Sequence, residues 1–406
     1  MSLRVSKPEF NIREKLNELD RPMGVQGNNI LQSNTTAESF SKIQAGRRNL
    51  LINGDMTIAQ RGSSTTSITT DTFGACDRWE VDISSGGTWT QEQVGDAPYN
   101  TGFTHCTSLT CTTAHAMGGN PSFVQLRQKI EACNTKGVMG GTPNAKPLTV
   151  SFWVKSNEPG KYYVTIWRPR SGTDSSRMSI SYTIEQSEVW EFKTITFPPD
   201  TMTGYQTTLT STGLEIHFCL GKDQNNHGSA HYGHWNTNDA FIGKGQTNLA
   251  AATSNYFRIT GVQLEIGNEH TEFDQRSYIE ELALCQRYFA VWPPRSGGIP
   301  AWPMYTGSNQ ASAHIWIPYN MRTVPTPTDK GTGTSTTTGH AYNNNGASVS
   351  SRYANGSSPT LSCGGDSTNG NYGLNMHFGS HSSSTHEADT ASWNGTSPGI
   401  YLSAEL

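Results

Sequence analysis

Apolar and polar positions alternate with a period of two through the middle of the chain. Leu148, Val150, Phe152 and Val154 interleave with Thr149, Ser151, Trp153 and Lys155; Met178, Ile180, Tyr182 and Ile184 interleave with more polar neighbours; Leu214, Ile216, Phe218 and Leu220 interleave with Glu215, His217 and Cys219. Successive side chains of a strand face opposite ways, so each run predicts a strand with one buried face. Further strands fit 162–167, 189–197 and 257–266, divided by clusters of Gly, Pro, Asn and Ser. Many short strands with turn signals between them predict an antiparallel β-sandwich, for which a jelly roll is the common closed form.

The period becomes helical in three places. Ile12, Leu16 and Leu19 sit at i, i+4 and i+7 after Pro8, which predicts a short amphipathic helix over 8–20. Thr35-Thr-Ala-Glu38 has the spacing of a capping box and opens a second short helix that carries Phe40 and Ile43 and ends near Gly46. Two such helices cannot build a core alone. Phe10, Ile12, Leu16, Leu19, Phe40 and Ile43 are therefore read as the apolar face of an assembly arm that docks on a neighbouring component. A frayed N-terminal extension is the plainer alternative. Ser277-Tyr-Ile-Glu280 is another capping box, whose helix is expected to run to about Phe289, before Pro293-Pro294.

Composition refines this picture. A chain of 406 residues accommodates two or three domains. A net charge of −4 with 15% charged residues gives no footprint for nucleic acid and no polybasic face for a membrane. No run approaches the roughly 20 apolar residues of a membrane span, and Met1-Ser-Leu-Arg-Val lacks the apolar core of a secretory signal, so synthesis in a cytoplasm is expected. The seven cysteines lack metal-site spacing and read as reduced, buried small side chains. Residues 293–406 hold only four basic and five acidic residues. Alternation at Ala313, Ile315 and Ile317 and at Leu374, Met376 and Phe378 nevertheless predicts a small C-terminal β-sandwich. Its sparse apolar content suggests completion by copies of itself, in a fibre-like homotrimer. The expected divisions are an arm over 1–48, a jelly roll over 49–292 and a distal β-domain over 293–406.

Two signatures bracket the jelly roll: Asn49-Leu-Leu-Ile-Asn-Gly-Asp-Met-Thr-Ile-Ala-Gln-Arg-Gly62 with Asp77-Arg78-Trp79, and Gly261-Val-Gln-Leu-Glu265 with Phe273-Asp-Gln-Arg-Ser277 and the helix after it. With the arm, they resemble the structural proteins of tailed bacteriophages, chiefly tail-fibre and receptor-binding proteins carrying a carbohydrate-binding-like jelly roll. The resemblance covers about residues 1–290. It implies a homotrimeric virion appendage, attached through its arm to other tail or virion proteins, whose distal part meets a host polysaccharide or protein receptor. It also implies a structural calcium ion near Asn53, Asp55 and Glu265. Three side chains fall short of the six or more oxygens such an ion takes, and Asn53-Gly54-Asp55 is equally a turn signal.

Candidate binding residues follow from flat aromatic faces beside amides. Tyr232, Trp235 and Asn236 lie in a histidine-rich loop without the acidic or thiol ligands of a metal site, where Trp235 serves equally well as a sugar platform or as core or interface packing. Trp302, Tyr305, Trp316 and Trp393 give the C-terminal region an aromatic, uncharged character, suited either to a receptor or to a thin trimeric core. Arg47, Arg48, Arg276 and Arg287 suit phosphate or carboxylate, and are read as ties to acidic neighbours at the domain ends. Glu265 with Glu269, and Glu280 with Glu281, are not singled out as a hydrolytic pair, and no nucleophile elbow, phosphate loop or HExxH is present. The expectation is a non-catalytic protein without a cofactor. A head or tail decoration protein without receptor binding is the second reading, and a polysaccharide depolymerase the third.

Overall fold

The computed structural model divides into two compact units, 1–48 and 49–406. It describes residues 32, 48–118, 122–170, 175–204, 206–222, 233–237, 245–292, 300–305, 311–316, 320–329, 340–342, 360–366, 371–378, 390–392 and 400–406. The expected helices over 8–20 and 35–46, with Phe10, Ile12, Leu16, Leu19, Phe40 and Ile43, lie outside the described residues.

Twelve strands build the sandwich: β1 (Ser64–Ile68), β2 (Thr72–Phe73), β3 (Glu80–Ser84), β4 (Thr88–Val94), β5 (Cys106–Thr113), β6 (Phe123–Glu131), β7 (Leu148–Ser156), β8 (Gly160–Pro169), β9 (Ser175–Ile184), β10 (Glu191–Phe197), β11 (Thr212–Lys222) and β12 (Tyr256–Ile266). Sheet I has the order β1-β4-β5-β12-β7-β10 and sheet II the order β2-β3-β6-β11-β8-β9. The paired strands are antiparallel, and the chain passes repeatedly from one sheet to the other, which makes the sandwich a jelly roll.

The alternation seen in the sequence sets the core. Val150, Phe152 and Val154 of β7 face Phe218 of β11 and Tyr182 of β9, all buried. Phe152 meets Phe218 edge-on at 5.0 Å and Tyr182 at 5.2 Å, geometry that adds about 0.5–1.5 kcal/mol per pair beyond area burial. Cys76, Cys106, Cys111, Cys219 and Cys285 are free and buried.

The segment 49–62, the first of the two signatures, is irregular. Asn49 replaces the strand ladder with its side chain: Nδ2 donates to Val262 O at 3.0 Å, and Oδ1 accepts from Leu264 N at 3.0 Å. The amide thus satisfies the edge of β12 where β5 has ended, and Gly54 packs so closely on Val262 O that a Cβ would lie 2.2 Å from it.

The third capping box is present. Ser277 accepts from Glu280 N and the Glu280 side chain accepts from Ser277 N, opening α1 (Tyr278–Gln286). The helix ends earlier than the expected Phe289 because another partner claims the chain. β13 (Phe289–Trp292) pairs with β21 (Ile400–Ser403), and β16 (Thr326–Asp329) pairs with the same strand. The remaining strands, β14 (Pro300–Tyr305), β15 (Ala311–Trp316), β17 (His340–Tyr342), β18 (Thr360–Asp366), β19 (Asn371–Phe378) and β20 (Thr390–Ser392), form a sheet of order β17-β20-β14-β15-β19-β18. The C-terminal region therefore leaves and returns through one hydrogen-bonded pair of strands, β13 and β21.

Candidate functional site

The two sequence signatures meet in one buried polar junction. Asn53 is fully buried; its Nδ2 donates to Ile58 O and Asp77 O at 2.9 Å each, and its Oδ1 accepts from Ile58 N at 2.9 Å. Asn53 N donates to the Glu281 carboxylate on α1. Arg276 donates to Leu51 O at 3.0 Å and Asn49 O at 2.6 Å and pairs with Glu281 at 3.2 Å. Arg287 forks onto Glu131 at 2.7 and 2.8 Å, so both arginines tie the closing block to the sandwich. The C-terminal tail completes the junction. The Glu405 carboxylate accepts from Arg61 at 3.0 Å and from the buried Arg78, and Lys129 Nζ donates to Leu406 O at 2.8 Å. Every partner is another part of the scaffold, so the junction is structural.

Burial pushes the Asp77 carboxyl from 3.8 up to about 6, against the pull of Arg61 at 3.6 Å and of Gln60, whose N–H donates at 3.0 Å. The folded chain holds this proton more tightly than the unfolded chain. The resulting stabilisation is complete below the unfolded value and is lost as pH rises through about 6. Between about pH 4.5 and about pH 6.5, wild type should lose about 2 kcal/mol of stability relative to Asp77→Asn. Urea unfolding at the two pH values checks this; a difference that does not change with pH would mean an unperturbed carboxyl.

A different chemistry appears on the outer face of sheet I. Because Phe152 and Val154 point into the core, Trp153 between them points out. Register places Phe192 of β10 opposite it on one side and Thr260 of β12 on the other. The Trp153 and Phe192 rings lie 5.3 Å apart, and Phe192, 41% exposed, is also 5.3 Å from the His270 ring. These rings border a cavity of 610 Å³ whose polar lining includes Thr101, Ser151, Thr271, Glu272 and Gln275. Its far wall is the Phe103–Phe273 pair, edge-to-face at 5.0 Å. Apolar ring faces beside hydroxyl, amide and carboxylate groups suit a ligand with one apolar face and a rim of hydroxyls.

A β-bulge shapes the floor. The β12–β7 register shifts between Thr260 and Gln263, and Gly261 takes φ +61°, with its α-carbon so close to Phe103 that a Cβ would meet the ring at 2.6 Å. Gly261→Ala is therefore expected to displace Phe103 and cost about 1–3 kcal/mol. Thermal unfolding and the near-UV aromatic signal check it; an unchanged signal would show that Phe103 does not rest on Gly261.

Beside the cavity, Asp96 accepts from Lys155 Nζ at 2.9 Å, Trp190 Nε1 at 3.1 Å and the Arg258 guanidinium. Burial pushes this carboxyl up, but the three donors outweigh burial and hold it below the usual carboxylate range.

No protein-family model matches the chain, and no curated protein matches it. Solved structures similar to it include the enzymatically active domain of tailspike protein 4 of bacteriophage CBA120, at 13% identity over 54% of this chain and 21% of that chain, TM-score 0.30. A xylan-binding domain from Paenibacillus barcinonensis aligns at 9% identity over 56% of this chain and 100% of its own, TM-score 0.28. A family 11 carbohydrate-binding module of a Clostridium thermocellum cellulase aligns at 15% identity over 50% and 99%, TM-score 0.26. The chain spans about a fifth of the tailspike domain's length. At these scores the likenesses carry no argument about ligands, and the jelly roll stands on its own strand order.

The residues singled out by sequence do not converge. Trp235 packs partly buried against the sandwich core and donates from Nε1 to Pro198 O at 2.8 Å. Asn236 is buried and bridges to Arg177 of β9. Tyr232 and Trp393 lie outside the described residues, and of Trp302, Tyr305 and Trp316 only the backbone positions, on β14 and β15, are described. The calcium candidates are occupied by protein partners. Asp55 accepts from Thr57, Glu265 accepts from Thr271 N at 2.8 Å and Thr271 Oγ1 at 2.7 Å, and Asn53 serves the junction. Among the described residues no three of His, Cys, Asp and Glu converge as a metal site, and no helix is long and apolar enough to cross a membrane.

Proposed function

We propose that this protein is a non-catalytic, glycan-binding virion protein of a tailed bacteriophage, a trimeric tail fibre that reaches a host-surface saccharide through its jelly roll. The observation that carries the glycan reading is the groove on sheet I, where Trp153 and Phe192 present ring faces to a cavity edged by hydroxyl and amide groups. The phage assignment is supported by the two signatures that bracket the jelly roll, and the junction gives them a physical role as the lock that closes it. Weak individual sites suffice for attachment, because three chains per fibre and several fibres per particle multiply them. Exposed apolar side chains at Met139, Leu209, Tyr278 and Ile279 support contact with further copies or with other tail proteins. The arm over 1–48 is the proposed virion anchor. The C-terminal region is a second receptor-facing surface, presented on the β13–β21 pair.

A reconstruction of the virion with this chain located in it tests the assignment. Threefold density projecting from the tail is expected; density lying flat on the capsid would replace this reading with that of a decoration protein.

A further inference from the structure

Resting on the glycan reading, we infer that the groove of sheet I is blind, and that it takes the end of an uncharged glycan chain rather than an internal stretch of polymer. Three of its sides are closed by the chain itself. Towards β5, the outward-facing Cys106 and Ser108 are 0% and 1% exposed, so the sheet surface does not continue as an open floor past β12, and Phe103 stands over Gly261 at that boundary. Towards the start of β7, Thr149 and Glu265 are buried, and Thr271 is fastened to the Glu265 carboxylate by both its N–H and its hydroxyl. Towards the end of β7, the Asp96 carboxylate bridges Lys155, Arg258 and Trp190. The fourth side is the edge strand β10, where Phe192, Thr194 and Thr196 are exposed.

A polymer crossing the face of a sheet needs an entrance and an exit, and along the sheet, among the described residues, this groove is left open at β10. Its 610 Å³ lies in the range that encloses one drug-sized ligand. For a glycan that is about two or three rings. The first ring past the mouth meets Phe192 and Trp153, and the last stops against Phe103 and Phe273. The charge of the ligand follows from the basic groups nearby. Lys155 and Arg258 are both held by Asp96, and no Lys or Arg lines the cavity among the described residues. The one carboxylate in the lining among the described residues, Glu272, disfavours an anionic sugar, and hydroxyl and amide groups at Ser151 and Gln275 read the sugar, which suits neutral pyranoses.

Calorimetric titration of the full chain with neutral gluco-, manno-, galacto- and N-acetylglucosamine-based oligosaccharides of two, three and six rings tests this. Affinity is expected to level off by three rings, with the six-ring probe within about twofold of the three-ring probe. A gain of about tenfold or more from three to six rings in wild type would overturn the blind-end inference while leaving glycan binding intact. Absence of binding at every length would overturn both. Phe103→Ala, checked for folding by its thermal transition, should open the far wall and give the six-ring probe the advantage that wild type denies it. The wild-type length series decides the matter even where that variant does not fold.

Discussion

Replacing Glu405 with alanine is expected to lower the stability of the sandwich by about 3–5 kcal/mol. Arg78 is the reason. It is 1% exposed, it takes φ +72°, and its guanidinium lies 3.6 Å from the centre of the Tyr288 ring while donating to Glu405 and to Lys129 O. Removing the carboxylate leaves this buried cation without its counter-charge and leaves Arg61, which stacks over Phe289 at 3.5 Å, with Asp77 at 3.6 Å as its remaining carboxylate. The loss should appear as an earlier denaturant midpoint with an unchanged slope. Glu405→Gln, which keeps an acceptor and removes the charge, should fall between wild type and alanine. A loss below about 1 kcal/mol for Glu405→Ala would show that the tail does not close the junction in solution. The consequence reaches function through topology. β21 and the tail hold the return end of the C-terminal region, so loosening them is expected to release the region proposed to face the receptor.

Trp153→Ala is expected to weaken glycan binding by about 30- to 1,000-fold, the range set by losing about 2–4 kcal/mol at a central aromatic contact. The ring stands on the outer face of a central strand and packs on Phe192, outside the core cluster, so the same change should alter stability by about 1 kcal/mol or less. That separation makes the variant informative: affinity falls and the melting transition stays. Phe192→Ala should act in the same direction and less strongly, since Trp153 retains the larger face. Glycan affinity unchanged in Trp153→Ala would move the binding site elsewhere on the chain.

Alternation made the sandwich legible because both sheets have one dry face: the phase of Val150, Phe152 and Val154 alone fixes which side of β7 is core. The capping box at Ser277 was equally legible, since it needs only residues three apart. Its helix ends early for a reason no local pattern carries, the pairing of Phe289–Trp292 with a strand more than a hundred residues downstream. How Asn49–Gly62 joins the sandwich was not legible, because the Asn49 amide takes the place of a strand neighbour while the backbone turns away. The groove had a signal that was present and unread: Trp153 is an aromatic residue in the polar phase of an amphipathic strand. Its companions Phe103, Phe192 and Phe273 reach it through strand register and a bulge, which sequence spacing does not encode. Aromatic density drew attention to Trp235, for which the sequence left sugar binding and packing open, and its ring packs partly buried against the core.

The most direct measurement is diffraction from crystals of the full chain soaked with the tightest-binding glycan found on an array of bacterial-surface saccharides. Sugar density stacked on Trp153 and Phe192, entering from the β10 edge and ending at Phe103, is the expected result. Sugar density confined to the C-terminal sheet, with the groove of sheet I filled only by water, would contradict the assignment of this face as the glycan site.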